Sequence, residues 1–548
     1  FPLVSGLIEN DFTHVRAIIP LNFIYPLAPD FFSGNVKLFS LLVLWIYSVI
    51  ILKSILDYLT SIYALRQSYK TTETIRKQLF KRYISFNQKY YDENDTSSLY
   101  ETIANAGQIL RQQFNMIQRA GTEFLTLVIY ITFMVFLSWE LTLIAMASFP
   151  FIHYTMQKVS VYIEKNAKTE WSNTKTFNQN LLNLFTCIPI VVGYHRQKRE
   201  ENYFMDLSHK QLSLIHKAQK LRAAIGPMEE IAHTTAILFV ALGIAFLFHT
   251  QGGISVIHAF IFIYLTRRII PSFNSFQTIR TQLAASHSKV QDILDTLEGH
   301  HDYLTKGDTQ TFETIDKSVE IRDLSFAYAD NKNVLHNISA TIPAHKITAI
   351  TGPSGSGKST ILKLILRFYE HDDNTILFDG TDIKKFYLYN LREHISFSEQ
   401  ESLLLNKSIL DNITFGTKHK VDYDKLLNLA KKLKVHDFVM ALPDGYNTLI
   451  TKGGKTLSGG ERQRLCILRA LYKWATLVLL DEFTSALDPK TEKSVIDTVK
   501  EFKGNRTIVF VSNRLSTIKH ADHIIYIDNG KLITEGPAEK VLKQKNLY

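Results

Sequence analysis

Up to about residue 300, the chain alternates between long apolar runs and long polar stretches. The uncharged runs cover residues 38–52, 124–139, 141–157, 231–253 and 254–266. A helix that spans a bilayer needs about 20 mostly apolar residues. Only the run at 231–253 reaches that length alone, and the others need residues from their flanks. The pattern predicts a series of membrane helices, and the number of such runs disfavours the alternative of a soluble helical bundle.

The polar stretches between these runs are basic and favour helix. Residues 66–83 and 194–204 carry an excess of Lys and Arg, which places them on the cytoplasmic side of a membrane. Both belong to polar regions too long for bare loops. We therefore expect membrane helices that continue into the cytoplasm and turn around there. Residues 1–12 resemble the end of a further helix whose beginning precedes this sequence.

After about residue 318 the pattern changes to short β-rich runs that alternate with helical stretches, such as KITAITG, LVLLDEF and TIVFVSN. This alternation predicts an α/β domain with a largely parallel sheet. We expect a membrane domain that is all α over residues 1–305, followed by an α/β nucleotide-binding domain over residues 306–548.

Composition adds limits on partners and chemistry. The 548 residues suffice for more than one domain. The net charge of +10 would suit nucleic acid, but beside the apolar runs it fits the positive-inside bias of membrane proteins, and we expect no nucleic-acid partner. Only two cysteines, Cys187 and Cys466, are present, which argues against a disulfide scaffold or a metal cluster.

The segment TGPSGSGKST follows a predicted strand and opens a predicted helix, which is the setting of a phosphate-binding loop. Glycines let backbone N–H groups wrap phosphates, and the N-terminus of a helix favours negative charge. Lys358 is expected to reach the β and γ phosphates of ATP, and the Ser359 hydroxyl to bind Mg²⁺. The predicted nucleotide-binding residues of this loop are Gly352, Pro353, Ser354, Gly355, Ser356, Gly357, Lys358, Ser359 and Thr360.

Further along, the apolar run LVLLDE ends in two carboxylates. Asp481 is expected to hold Mg²⁺, and Glu482 to activate the attacking water as a general base. Acidic pairs at strand ends are common, so this pair gains its weight from the phosphate-binding loop that precedes it.

Between these motifs lies LSGGERQR, residues 457–464, and the combination resembles the nucleotide-binding domain of an ATP-binding cassette (ABC) protein. In that family this signature motif closes on the γ-phosphate bound by the opposite subunit. The resemblance therefore implies that Ser458, Gly459 and Gly460 act across a dimer. As a helix start rich in glycine, the motif also suits an anion on physical grounds.

Four other positions take their expected roles from this resemblance. It implies that Tyr328 stacks on adenine, that Gln400 senses magnesium and water, and that the loop at Asp488 links the two nucleotide sites. Asn513 departs from the family, which usually has a histidine there to bind the γ-phosphate and orient the general base. Asparagine can donate a hydrogen bond, but it reaches less far and has no titratable proton. Two interpretations of Asn513 remain open. The protein is either a heterodimer in which one of the two nucleotide sites is impaired, or a homodimer in which the Glu482 carboxylate alone suffices for hydrolysis.

The membrane half resembles a six-helix exporter-type half-transporter. The resemblance is carried by SWELTLI at residues 138–144, by the polar run at 177–204 and by TQLAASHSKVQDILDTLE at 281–298. It implies two cytoplasmic turns that seat on the nucleotide-binding domain, near Tyr90–Asp95 and Asn178–Phe185. It also implies a multi-pass membrane protein with the nucleotide-binding domain in the cytoplasm, and a bacterial inner membrane is the default expectation for its location.

Two arginines interrupt the last apolar segment, ISVIHAFIFIYLTRRIIPSF. A charge at the bilayer centre costs about 2.5–3.5 kcal/mol on insertion scales, so Arg267 and Arg268 should face protein, water or an anion. Adjacent helical residues point about 100° apart, so at most one of them faces a given direction squarely. One hypothesis is contact with an anionic substrate. The alternative is that both reach towards the membrane surface or pair with Asp57.

The expected function is ATP-driven export of an amphiphilic cargo, such as a peptide, a lipid or a drug-like molecule, by a dimer embedded in membrane lipid. Two alternatives remain open at this point. One is an importer built on the exporter fold, for example for a metal chelate, and the other is a cassette ATPase without transport.

Overall fold

The computed structural model describes residues 35–147, 157, 169, 171–251, 256–305, 307–328, 333–454 and 456–544. Its contacts divide the chain into two compact units. The first unit consists of the described residues within Phe1–Ile84 and Asn94–His300, and the second of those within Ser85–Glu93 and His301–Tyr548. A short segment between two long helices thus belongs to the second unit.

The described part of the chain before residue 300 is helical, as the sequence predicts. Its helices are α1 (Asn35–Ser85), α2 (Gln88–Glu93), α3 (Thr96–Leu137), α4 (Trp139–Ala147), α5 (Ile188–Gly193), α6 (Gln197–Gln251) and α7 (Val256–Glu298), and residues 171–186 are also helical. Helix α1 joins an apolar run and the basic stretch at 66–83 without a break. This continuity confirms the expectation that apolar helices run on into polar ones.

Two of these helices are long and apolar enough to cross a membrane, over Val43–Ser85 and Ser98–Leu137, and a shorter apolar helix covers Thr234–Phe246. The search covered only the residues that the structure describes. The predicted run at 141–157 continues beyond residue 147, and residues 1–12 also lie outside the described ranges.

A serine separates the third and fourth helices. The Ser138 N–H donates to Met134 O as α3 ends, and its hydroxyl accepts a hydrogen bond from the Leu141 N–H as α4 begins. Small residues then allow close helix packing, since a Cβ on Gly243 of α6 would lie 2.8 Å from Ile144 Cδ1 of α4. The buried core of this unit consists of Met134, Leu141, Ala145, Ala236, Val240, Phe262, Leu265, Ile269 and Ile270.

The second unit contains two sheets. The smaller has the order β2-β1-β4-β5, from β1 (Ser318–Ala327), β2 (Asn333–Pro343), β4 (Ile376–Phe378) and β5 (Thr381–Asp382), and its strands pair antiparallel. The larger has the order β10-β9-β3-β8-β7-β6, from β3 (Ile347–Thr351), β6 (Ile395–Ser398), β7 (Leu477–Asp481), β8 (Thr507–Val511), β9 (His523–Asp528) and β10 (Lys531–Pro537). Only β10 runs antiparallel to its neighbour among these six, so the prediction of a largely parallel sheet is confirmed.

Helices surround the larger sheet. They are α8 (Lys358–Ile365), α9 (Leu388–Glu393), α10 (Ile409–Thr414), α11 (Tyr423–Lys432), α12 (His436–Met440), α13 (Gly459–Tyr472), α14 (Pro489–Lys500), α15 (Leu515–Ile518) and α16 (Ala538–Val541). Every residue of β3, β7 and β8 is buried, which explains why these strands read as continuous apolar runs. Because the carboxyl ends of parallel strands meet at one edge, the loops after β3 and β7 are brought together there.

Helix α2 packs within the second unit. The Asn87 N–H donates to Tyr303 O at 2.8 Å, and the Gln88 N–H donates to Phe368 O at 3.1 Å. The Tyr369 hydroxyl also bonds to the Asp92 carboxylate. Of the first expected turn, Tyr90–Asp95, the residues up to Glu93 therefore lie on this unit, and Asn94 and Asp95 belong to the first unit. The second expected turn, near Asn178–Phe185, stays a prediction.

Candidate nucleotide site

The phosphate-binding loop connects β3 to α8 through left-handed glycines. Gly352 has φ 146°, and a Cβ there would lie 1.9 Å from Ile527 O, so only glycine fits as the chain leaves β3. Gly357 has φ 95° and caps α8. The buried Lys358 side chain donates to Pro353 O at 2.6 Å. The loop is thus folded around the ammonium group that was expected to reach phosphate.

Two opposing effects act on the pKa of Lys358. Burial lowers the pKa of its ammonium group, and the nearby carboxylates of Glu482 and Asp481 counteract that shift. The Ser356 hydroxyl of the same loop is buried without a hydrogen-bond partner among the described residues. A bound phosphate group would supply the acceptor that this hydroxyl lacks, so the loop fits the expected ATP.

The Ser359 hydroxyl donates to Asp481 Oδ1 at 3.0 Å. Asp481 ends β7 and is only 2% exposed, and burial raises the pKa of its carboxyl while the hydrogen bond from Ser359 lowers it. A hydroxyl oxygen and a carboxylate oxygen are ligands that Mg²⁺ accepts, with phosphate and water completing its shell. These two residues therefore fit the magnesium site that the sequence predicts.

Glu482 follows Asp481 in an unusual backbone conformation. Its φ is 41°, in the left-handed region, which costs about 1–2 kcal/mol for a residue with a side chain. The Glu482 N–H donates to Val511 O at 3.1 Å, and Gln400 Nε2 donates to Glu482 Oε2 at 2.9 Å. The amide and the carboxylate that were expected to handle magnesium and water are thus in direct contact.

Asn513 follows β8 and is exposed. No side-chain hydrogen bond from Asn513 to Glu482 occurs among the described residues. The next residue, Arg514, instead donates to Thr484 O at 2.9 Å and to Ser485 O at 2.8 Å. Sequence reasoning missed Arg514, although it lies in the same VSNRLST segment. Its guanidinium supports the loop that follows the expected general base.

Tyr328 lies beside the phosphate-binding loop, because its hydroxyl is 2.9 Å from Thr360 Oγ1. Its ring meets the edges of Phe326 and Tyr369, at centroid distances of 5.1 and 5.0 Å. Burial raises the pKa of Tyr369, which keeps its hydroxyl protonated as a donor to Asp92 of α2. The aromatic residue expected to stack on adenine is thus packed against a tyrosine that contacts α2.

The signature motif begins α13 with a capping box. Ser458 accepts from the Glu461 N–H at 3.3 Å, and Glu461 Oε2 accepts from the Ser458 N–H at 2.7 Å. Ser458 and Gly459 are exposed. Asp488 caps α14 by accepting from the Thr491 N–H at 3.1 Å, and this bonding lowers the pKa of Asp488.

One chain of contacts joins most of the expected site. It runs from Tyr328 to the phosphate-binding loop, from Ser359 to Asp481 and from Glu482 to Gln400. Within the described ranges, Ser458 and Asp488 make none of these contacts. The site roles of all these residues remain proposals.

Two family models match the chain. One is described as ABC transporter and matches residues 335–485, and the other is described as ABC transporter transmembrane region and matches residues 18–270. An ATP-dependent lipid A-core flippase of Saccharophagus degradans is 31% identical over 499 residues, which cover 91% of this chain and 84% of the relative. A protein of the same name from Haemophilus influenzae is 28% identical, and the match covers 100% of this chain and 94% of that relative.

Two further likenesses are more distant in sequence. A heterocyst differentiation ATP-binding protein of a Nostoc species is 26% identical, over 95% of this chain and 84% of the relative. The solved structure of a bacterial Atm1-family ABC exporter with ATP bound has a TM-score of 0.81 at 22% identity. The match covers 100% of this chain and 92% of the exporter chain. At that identity the likeness concerns the fold.

Replacing Asp481 by Asn should raise the Mg²⁺ concentration for half-maximal ATPase by about tenfold or more, because a neutral amide is a poorer magnesium ligand than a carboxylate. A magnesium titration at fixed ATP measures this. The control is Asp497→Asn, which removes a carboxylate from a surface pair with Lys500. An unchanged magnesium requirement in Asp481→Asn would contradict the site.

Replacing Asn513 by His should raise kcat for ATP by roughly three- to tenfold, because a histidine reaches further towards the γ-phosphate and the general base. Steady-state ATPase at saturating MgATP measures this. An unchanged or lower kcat would mean that Glu482 acts in this chain without help from that position.

Proposed function

The chain belongs to the ATP-binding cassette (ABC) transporter family, and from that premise we propose that it moves an anionic amphiphilic lipid across a bacterial inner membrane as one half of a dimer. It is an exporter-type half-transporter with its membrane region and its ATPase domain in one chain, and ATP hydrolysis drives its transport. The membrane region disfavours the alternative of a cassette ATPase without transport.

The observation that carries the proposed substrate class is the exposed face of α7. Phe260, Tyr264, Arg267 and Pro271 recur at helical spacing and are all exposed. Arg268, the next residue, is also exposed, and its side chain interacts with Tyr130 of α3. An aromatic surface beside a guanidinium group suits a molecule with an apolar part and a negatively charged part.

The opposite face of α7 holds this arrangement in place. Phe262, Ile269 and Ile270 are buried against Met134 of α3 and Val240 of α6. The exposed direction of Arg267 therefore follows from which residues the helix buries. Rotating α7 to hide the arginine would expose three large apolar side chains from the core.

Electrostatics favours an anionic partner for this face. Among the described residues, neither Arg267 nor Arg268 forms an ion pair with a carboxylate, and the alternative partner Asp57 is exposed on α1. An unpaired charge within the membrane is costly, and a phosphate or carboxylate group offsets that cost through charge-assisted hydrogen bonds. The name of the relatives, lipid A-core flippase, points to a lipid cargo.

The ATPase chemistry follows from the site. Glu482 would accept a proton from the attacking water, with its carboxylate oriented by Gln400. Lys358 and the backbone of its loop would hold the β and γ phosphates. Magnesium, held by Ser359 and Asp481, would neutralise charge on the phosphate oxygens.

The exposed signature motif supports the proposal of a dimer. Ser458 caps α13 and Gly459 begins it, and both residues are exposed. A helix N-terminus with free glycine N–H groups binds anions well. We propose that this end closes on the γ-phosphate held by a second cassette, and that closure and release bias the membrane helices between two states.

The substrate class is tested in nanodiscs of defined lipids. Arg267→Gln and Arg268→Gln should each raise the anionic lipid concentration for half-maximal ATPase stimulation by about tenfold, the effect of one charge-assisted hydrogen bond. Stimulation by zwitterionic lipid should not change. Arg280→Gln, at another exposed arginine of α7, is the matched control. Equal responses to anionic and zwitterionic lipid in all four proteins would contradict the anionic substrate.

A further inference from the structure

The side-chain amide of Gln463 forms its hydrogen bonds with a single loop. It is 3% exposed and belongs to α13, the helix that the signature motif begins. Gln463 Nε2 donates to Glu482 O and to Ser485 Oγ, both at 3.1 Å, and Gln463 Oε1 accepts from the Ala486 N–H at 3.0 Å. We call residues 482–488 the catalytic loop.

A second contact joins the signature motif to this loop. A Cβ on Gly460 would lie 3.1 Å from Ala486 O, and one on Gly459 would lie 3.8 Å from Ala486 Cβ. The glycines of the motif therefore approach the catalytic loop of the same chain closely. Any displacement of this end of α13 is transmitted to Ala486 by direct contact.

The hydrogen bond to Glu482 matters because of the backbone conformation of that residue. Glu482 has a left-handed φ of 41°, and such conformations persist only when their surroundings hold them. Its N–H donates to Val511 O, and its carbonyl accepts from Gln463 Nε2 and from the Ser485 N–H, each at 3.1 Å. These bonds fix the peptide groups on both sides of Cα and thereby the direction of the carboxylate.

We propose that Gln463 is a positioning residue that aims the Glu482 carboxylate and ties it to the signature end of the same chain. This inference rests on the proposed function, in which that end closes on a nucleotide held by a second subunit. Closure at one nucleotide site then moves the general base of the other site. Gln463 is the side chain that carries this link within each subunit.

A purely structural role would have different consequences. Arg514 holds the catalytic loop independently, through Thr484 O and Ser485 O. The fold of the loop therefore has support without Gln463, and the Ser485 N–H also donates to Glu482 O within the loop at 3.1 Å. Gln463 supplies the hydrogen bond that joins the Glu482 carbonyl to α13. Removing that bond should change the rate of the chemical step more than the stability of the protein.

The test measures ATPase kinetics of the full-length protein in nanodiscs for two variants. Gln463→Glu keeps the acceptor for Ala486 but loses the donor to Glu482, and Gln463→Leu loses every bond. Both should lower kcat between about ten- and a hundredfold, the effect of a misplaced catalytic group, while the half-saturating ATP concentration stays within about twofold.

The matched control is Arg506→Gln at the other end of α13. Arg506 is buried and donates to Leu471 O at 3.0 Å and Lys473 O at 3.1 Å, so its loss damages the same helix away from the catalytic loop. It should lower the thermal unfolding temperature but keep kcat per folded protein. If Gln463→Leu does not fold, Gln463→Glu carries the test.

An unchanged kcat in Gln463→Glu would overturn the proposal, as would an equal loss of kcat in Arg506→Gln. An increase in half-saturating ATP that accounts for the whole loss of activity would also overturn it. Absence of ATPase in the unaltered protein is a different outcome, because it would overturn the proposed function itself and this inference with it.

Discussion

The hydrogen bond between Ser359 and Asp481 is the contact on which the nucleotide site depends. It joins the first turn of α8 to the last residue of β7, and it exists because β3 and β7 lie on either side of β8 in parallel register. Parallel strands require crossover connections, so residues far apart in sequence meet at one edge of the sheet. Burial of Asp481 makes its carboxylate costly to ionise unless a cation shares the site. The same geometry therefore gives the loop a place for phosphate and for magnesium.

A second constraint lies in the chain path. Helix α2 follows α1 and precedes α3, both long and apolar enough to cross a membrane over part of their length, yet α2 packs in the nucleotide-binding unit. Its Asp92 meets Tyr369, which in turn packs on Tyr328 beside the phosphate-binding loop. Tyr328 is therefore connected through a single side chain, that of Tyr369, to α2, which is continuous in sequence with α1 and α3. This short path gives a physical basis for coupling nucleotide binding to transport.

The sequence predicts those features that depend on local chemistry. The glycines around Lys358, the carboxylates after an apolar run and the long mixed helices are all readable, because each reflects backbone freedom, burial or hydropathy over a short window. Gln463, Arg514 and Tyr369 were not predicted. Their roles come from contacts with residues distant along the chain or from which way a helix faces, and a single sequence does not specify those. Asn513 is an intermediate case. Its position was found from the sequence, but the absence of a side-chain hydrogen bond to Glu482 among the described residues is visible only in the structure.

The central claim is that ATP held by the loop around Lys358 is closed in by Ser458 of another subunit. Ser354 and Ser458 are both exposed, and a thiol-reactive crosslinker of short span can join cysteines placed there. The measurement is crosslinking of copies carrying Ser354→Cys with copies carrying Ser458→Cys, in a Glu482→Gln, Cys187→Ser background. The account predicts a covalent dimer that forms with MgATP and disappears without nucleotide or with Lys358→Ala. A crosslinked dimer that is indifferent to ATP, or none in its presence, would contradict the account.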